Sequence, residues 1–78
     1  MTDVEKRWTE IAKMLEGRTI VKVRYLSEKE ADDLDWYCRP VVMLLDNGEH
    51  IFPMADDEGN NGGALATSYD DHGLLPVI

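Results

Sequence analysis

Val41-Val42-Met43-Leu44-Leu45-Asp46-Asn47-Gly48-Glu49 predicts a β-hairpin, and the rest of the fold is read outward from it. Five consecutive apolar residues are consistent with a strand buried on both faces. Asn-Gly supplies the two positive φ values of a type I′ turn. The chain is therefore expected to return antiparallel from His50 to Met54, with Pro53 at a strand end or a sheet edge. On the upstream side Arg39-Pro40 opens the apolar strand, a position where proline is tolerated.

Upstream of that strand, residues 27–38 form a connection. Ser27 with Glu30 repeats a capping box, and Ala31 and Leu34 have the spacing of a short helix from about Glu28 to Leu34. Before it, Thr19 to Leu26 alternates. Val21, Val23 and Tyr25 lie on one side and Lys22 and Arg24 on the other, which predicts a half-buried strand with a basic outer face. The chain opens with a helix. Thr2 is a good N-cap and Glu5 completes its capping box. Val4, Trp8, Ile11 and Leu15 trace one face at a 3.6-residue period, with Trp8 as the expected anchor in the core. Gly17 is expected to end the helix in the left-handed region.

Downstream, Ala55 to Gly63 is too polar and glycine-rich for regular structure. Ala64 to Tyr69 reads as a fourth strand, Asp70 to Gly73 as a turn, and Leu74 to Ile78 as a fifth strand or a docking apolar tail. The order is one helix and about five short strands, with a short helix inserted after the first strand. That is a mainly β, α+β chain. It suggests a small closed or partly open barrel, with an open antiparallel sheet bearing the helix on one face as the alternative.

At 78 residues the chain is a single domain, and it has a thin core. Its net charge of -8 argues against nucleic-acid phosphates and anionic membranes as partners. The charge is uneven. Residues 1–26 hold six basic and four acidic side chains, a net of +2; residues 27–78 hold two basic and twelve acidic, a net of -10. Such asymmetry can steer self-assembly. Any nucleic-acid contact is confined to the early basic face, Arg18, Lys22 and Arg24. With no apolar run near the ~20 residues of a membrane span, no signal-peptide pattern and one cysteine, a cytoplasmic location is expected. Cys38 reads as a small hydrophobe rather than a nucleophile.

Asp56-Asp57-Glu58-Gly59-Asn60-Asn61 is the most unusual segment. Its three carboxylates and two amide carbonyls are oxygens of the kind calcium and magnesium prefer. The spacing is not that of an EF-hand, because the twelfth position from Asp57 is Ser68. Three readings stand: a solvated loop, a binding loop, and a cation site. No base–nucleophile pair can be assembled. His72 beside Asp70 and Asp71 lacks a marked nucleophile, so no catalytic residue, resident metal or cofactor is expected. The aromatics are better explained by core packing than by base stacking. A chain this small without disulfide or metal has little margin, and Leu74, Leu75, Val77 and Ile78 form an apolar segment that needs burial. A homo-oligomer held by strand-edge pairing through those residues is expected.

Leu15-Glu16-Gly17-Arg18-Thr19-Ile20, followed by Val21-Lys22-Val23 and a β-meander, resembles the start of the Sm-like fold. The chain is similar to small Sm-like proteins of phage or environmental bacterial origin. The resemblance covers most of the chain at the level of element order. It implies a small five-stranded, SH3-like, partly open barrel and a ring of subunits joined edge to edge. It also implies RNA as a ligand. Asp46-Asn47-Gly48 occupies a place similar to the family's first motif. Tyr69-Asp70-Asp71-His72-Gly73 is acidic where the second motif carries Arg-Gly, so no RNA-binding residue is carried over. The expected function is a non-enzymatic binding or scaffold module. The alternatives are an RNA-binding ring using the early basic face and a cation-dependent module using the acidic loop.

Overall fold

The protein is described by a computed structural model over residues 2–78. Helix α1 spans Asp3–Ala12, and Thr2 caps it by accepting from the Glu5 amide at 3.0 Å. The helix tightens into a 3₁₀ turn over Lys13–Leu15. Gly17 follows its last turn in the left-handed region, as expected, at φ 73°. Glu16 before it is extended and the Arg18 amide donates to the Leu15 carbonyl, so Gly17 is the third residue of a type II turn that carries the chain sharply out of the helix.

Strand β1 (Ile20–Tyr25) pairs antiparallel with β2 (Val41–Leu45), with a register irregularity between Ile20 and Lys22. β2 pairs in turn with β3 (His50–Ile51), giving a three-stranded sheet in the order β1-β2-β3. β2 is its centre and carries most of the burial: Val41, Val42 and Leu45 are buried. The hairpin turn is not type I′. Gly48 has φ 87° but Asn47 is not in the left-handed region. The Gly48 amide donates to Leu45 at 3.0 Å and the Leu45 amide to Glu49 at 2.8 Å. This is a three-residue loop, a type I turn closed by a left-handed glycine. Asn47 favours it by accepting from the Glu49 amide through its own side chain.

Between β1 and β2 lies α2 (Glu28–Asp33). Its capping box is complete: Ser27 Oγ accepts from the Glu30 amide, and the Glu30 carboxylate accepts from the Ser27 amide. Its other end is a Schellman motif. Trp36 donates to the Ala31 carbonyl at 2.8 Å and Asp35 to the Asp32 carbonyl at 3.1 Å, with Asp35 held at φ 60°. That geometry drops Trp36 onto Ala31. The two join Leu26 and Val42 in one buried cluster, and Phe52 meets the Trp36 ring edge-on at 5.9 Å.

The remaining strands, β4 (Leu65–Ala66) and β5 (Leu74–Leu75), pair antiparallel as a separate two-stranded sheet. Five short strands occur in the expected order, in two open sheets. No closed barrel is formed among the described residues: β4 and β5, of two residues each, pair with one another and not with the three-stranded sheet. The tail beyond β5 docks on its own chain. Ile78 exchanges two backbone hydrogen bonds with Arg39, and the Tyr25 hydroxyl donates to Pro76.

Two burial expectations are corrected. Trp8 is 60% exposed and anchors nothing in the core. No residue of α1 is buried. β1 is not half-buried: Val21 and Val23 are each 56% exposed, because β1 is an edge strand and α1 does not cover it. The whole chain shows the consequence. Its accessible surface is 6204 Å², against about 4800 Å² for a compact monomer of this mass. Its radius of gyration is 14.0 Å, against about 11.5 Å for a compact domain of this length.

Candidate functional site

Helix α2 crosses one face of the β1-β2-β3 sheet and leaves a groove of about 350 Å³ beside it. Leu26, Val42 and Phe52 make an apolar floor. Glu30 and Asp33 come from one side of α2, Leu34 from its C-cap, and Arg24 and His50 from the sheet. The register explains why the sheet residues converge. Arg24 lies opposite Val42, and His50 lies opposite Leu44, so all of them project from the same face.

The groove's polar rim is organised around one ion pair. Arg24 meets Glu30 with both nitrogens, at 2.7 and 3.0 Å, and also donates to the Tyr25 carbonyl at 3.2 Å. A two-pronged guanidinium–carboxylate contact fixes orientation as well as charge. Arg24's hydrogen bonds, helped by those from Ser27, pull the Glu30 carboxyl down to about 2, and the guanidinium is pushed up in turn. The pair is solvent-exposed, so its energetic weight is modest and its value is positional. An apolar floor with a fixed ion pair, a second carboxylate and an imidazole is suited to holding a side chain or small ligand by packing and charge.

The acidic loop is built differently from a cation cage. Asp56 Oδ1 accepts from the amides of Glu58 (2.9 Å) and Asn60 (3.4 Å), and Oδ2 from the Asn60 side chain (2.9 Å). These bonds, Asn60's first, hold the Asp56 carboxyl below its ordinary value. Asn61 turns the other way, its Oδ1 accepting from the amides of Cys38 and Gly62 at 2.9 Å. Trp36 Nε1 donates to the Gly59 carbonyl at 2.7 Å. The loop is thereby laced onto residues 36–40. Asp57 and Glu58 stay exposed, and among the described residues no three His, Cys, Asp or Glu side chains converge as a metal site.

The basic face is mostly neutralised. Arg18 lies 3.5 Å from Asp46 and Arg24 is held by Glu30, which leaves Lys22 as the member without an ion pair among the described residues. The aromatic neighbours separate as an extended chain would place them: Trp36 is 6% exposed and Tyr37 94%. Of the apolar segment expected at an interface, Leu75 and Val77 are half-buried and Leu74 and Ile78 exposed, with Leu75 paired to Leu65. Cys38 is half-buried. No helix among the described residues is long and apolar enough to cross a membrane.

Of the groove residues, sequence reasoning singled out only Arg24. The signal for the rest was present. Glu30, Asp33 and Leu34 have the i, i+3, i+4 spacing of one helix face, and His50 and Phe52 the i, i+2 spacing of one strand face. What was missing was the knowledge that those two faces oppose each other. No protein-family model, curated protein or solved structure matches this chain.

Proposed function

We propose that the protein is a non-enzymatic binding or scaffold module that works as a homo-oligomer joined by strand-edge pairing. The observation that carries this reading is the outer edge of β1. Its six residues, Ile20 to Tyr25, four of them β-branched or aromatic, have no partner strand on that side among the described residues. A long, apolar, uncovered edge is a template for another strand. The element order also supports the Sm-like resemblance, in which neighbouring subunits complete one another's sheets. The RNA-binding alternative draws less support, because two of its three cations are already paired within the chain. The α2 groove is the surface such a module would present to a ligand.

Light scattering on the full chain tests the reading. A mass that is a multiple of 8.9 kDa is expected. Leu26 donates to Pro40 across the ladder, so the Arg24 amide also faces β2 and the Val23 amide faces outward. Val23→Pro therefore removes an outward donor while sparing the ladder. It should lower the mass with the far-ultraviolet dichroism unchanged. A monomer of 8.9 kDa for the unaltered chain removes the proposal.

A further inference from the structure

α1 and the 3₁₀ turn that continues it carry an apolar seam that its own chain leaves largely open. Val4, Trp8, Ile11 and Leu15 recur at intervals of four, three and four residues, and all four are exposed. The sheet has an apolar face to match, buried at its two ends by Val41 and Leu45 and open along the row between them. Val23 stands opposite Met43, and Met43 opposite Ile51, so the three side chains form one row across β1, β2 and β3. This face is the opposite one from the α2 groove. Val23 is exposed, and Met43 and Ile51 are only half-buried. The two surfaces meet at one end of the molecule, where Met14 and Leu15 border a cleft with Leu45 and Ile51. A helix layered on a sheet face is the ordinary way to bury both. Here the helix leaves that edge of the sheet without doubling back over it.

We infer that the missing layer is α1 of a second copy: two chains exchange their N-terminal helices, each laying its seam across the Val23–Met43–Ile51 row of the other. The surface and its complement are on the same chain, so one two-fold axis satisfies both at once and the contact closes. The area agrees. The chain exposes 6204 Å², roughly 1400 Å² more than a compact monomer. A standard interface takes about 800 Å² from each partner, and permanent dimers take more. The exchange uses sheet and helix faces, not the strand edge, and it shares with the proposed function only the need for a second copy.

Disulfide trapping tests the contact. Chains bearing Ile11→Cys and chains bearing Met43→Cys, both with Cys38→Ser, are mixed, unfolded, refolded together and oxidised. The mixed 11–43 link should dominate the products by mass spectrometry. The pair Ile11→Cys and Val23→Cys serves if the Met43 variant does not fold, because Val23 is exposed. Dominance of an 11–11 link, which would put helix against helix, overturns the inference. So does linkage no greater than that to a control chain carrying Asp57→Cys in the exposed loop. The mass of Trp8→Glu, which alters the exposed seam and leaves the β1 edge untouched, separates the two proposals. A lowered mass together with a strong 11–43 link supports the exchange; an unchanged mass with no 11–43 link overturns it and leaves edge pairing standing.

Discussion

Asp35 and Gly62 show how single backbone positions hold the core of this small chain. Asp35 occupies the left-handed residue of the α2 Schellman motif, where glycine is the preferred occupant. Asp35→Gly should therefore stabilise the fold by about 1 kcal/mol, read as a higher urea midpoint at constant slope. Gly62 has the opposite constraint. A β-carbon there would stand 2.6 Å from Pro40 Cδ and 2.9 Å from the Cys38 carbonyl. Gly62→Ala should cost about 1–3 kcal/mol, because neither neighbour is a flexible side-chain end, and the same urea titration reads it. Glu30 sets a pH dependence. Its carboxyl is lowered from 4.5 to about 2 in the folded state, so it contributes stability above the unfolded value. That contribution is lost as the pH falls through about 2. Glu30→Gln should flatten the acid limb of the stability curve in that window and leave the slope above pH 5 unchanged.

At the scale of elements, the local signals in the sequence place the caps and turns and fix their geometry only in part. The α2 capping box is present on both arms, and Ser27→Ala should cost about 1 kcal/mol by freeing the Glu30 amide, measurable by thermal unfolding. The same signal at α1 is present on one arm, since Thr2 holds the Glu5 amide. The Asn47-Gly48 hairpin was legible as a turn but not as a turn type, because the Asn47 side chain can serve either geometry. Trp8 is the instructive failure. Its place on a 3.6-residue stripe says that one face of α1 is apolar, and it says nothing about whether this chain supplies the surface to cover it. Val23 repeats the lesson on β1, where alternation identifies a face but not its partner. The α2 groove escaped notice for the same reason: each half was a correctly spaced face, and only packing put them opposite each other.

For the whole molecule, the excess of surface is the property that most needs an explanation. A chain that exposes its helix seam and one sheet face should not be stable alone in proportion to its length. If a second copy supplies the cover, its melting temperature should rise with protein concentration, because association and folding are then linked. Scanning calorimetry at low and high concentration reads this directly, and a melting temperature independent of concentration contradicts assembly by either route.

The sequence alone determined the element order, the central apolar strand, the N-cap residues of both helices and the split of charge between the early and later residues. Each of these rests on interactions among residues close in the chain or on composition. Tertiary structure decided the rest: that the five strands form two open sheets, that the acidic loop is laced to Trp36 and Cys38, and that Arg24 faces Glu30 across a groove. Those outcomes depend on which distant faces meet, and periodicity carries the face of an element but never the identity of the surface that buries it.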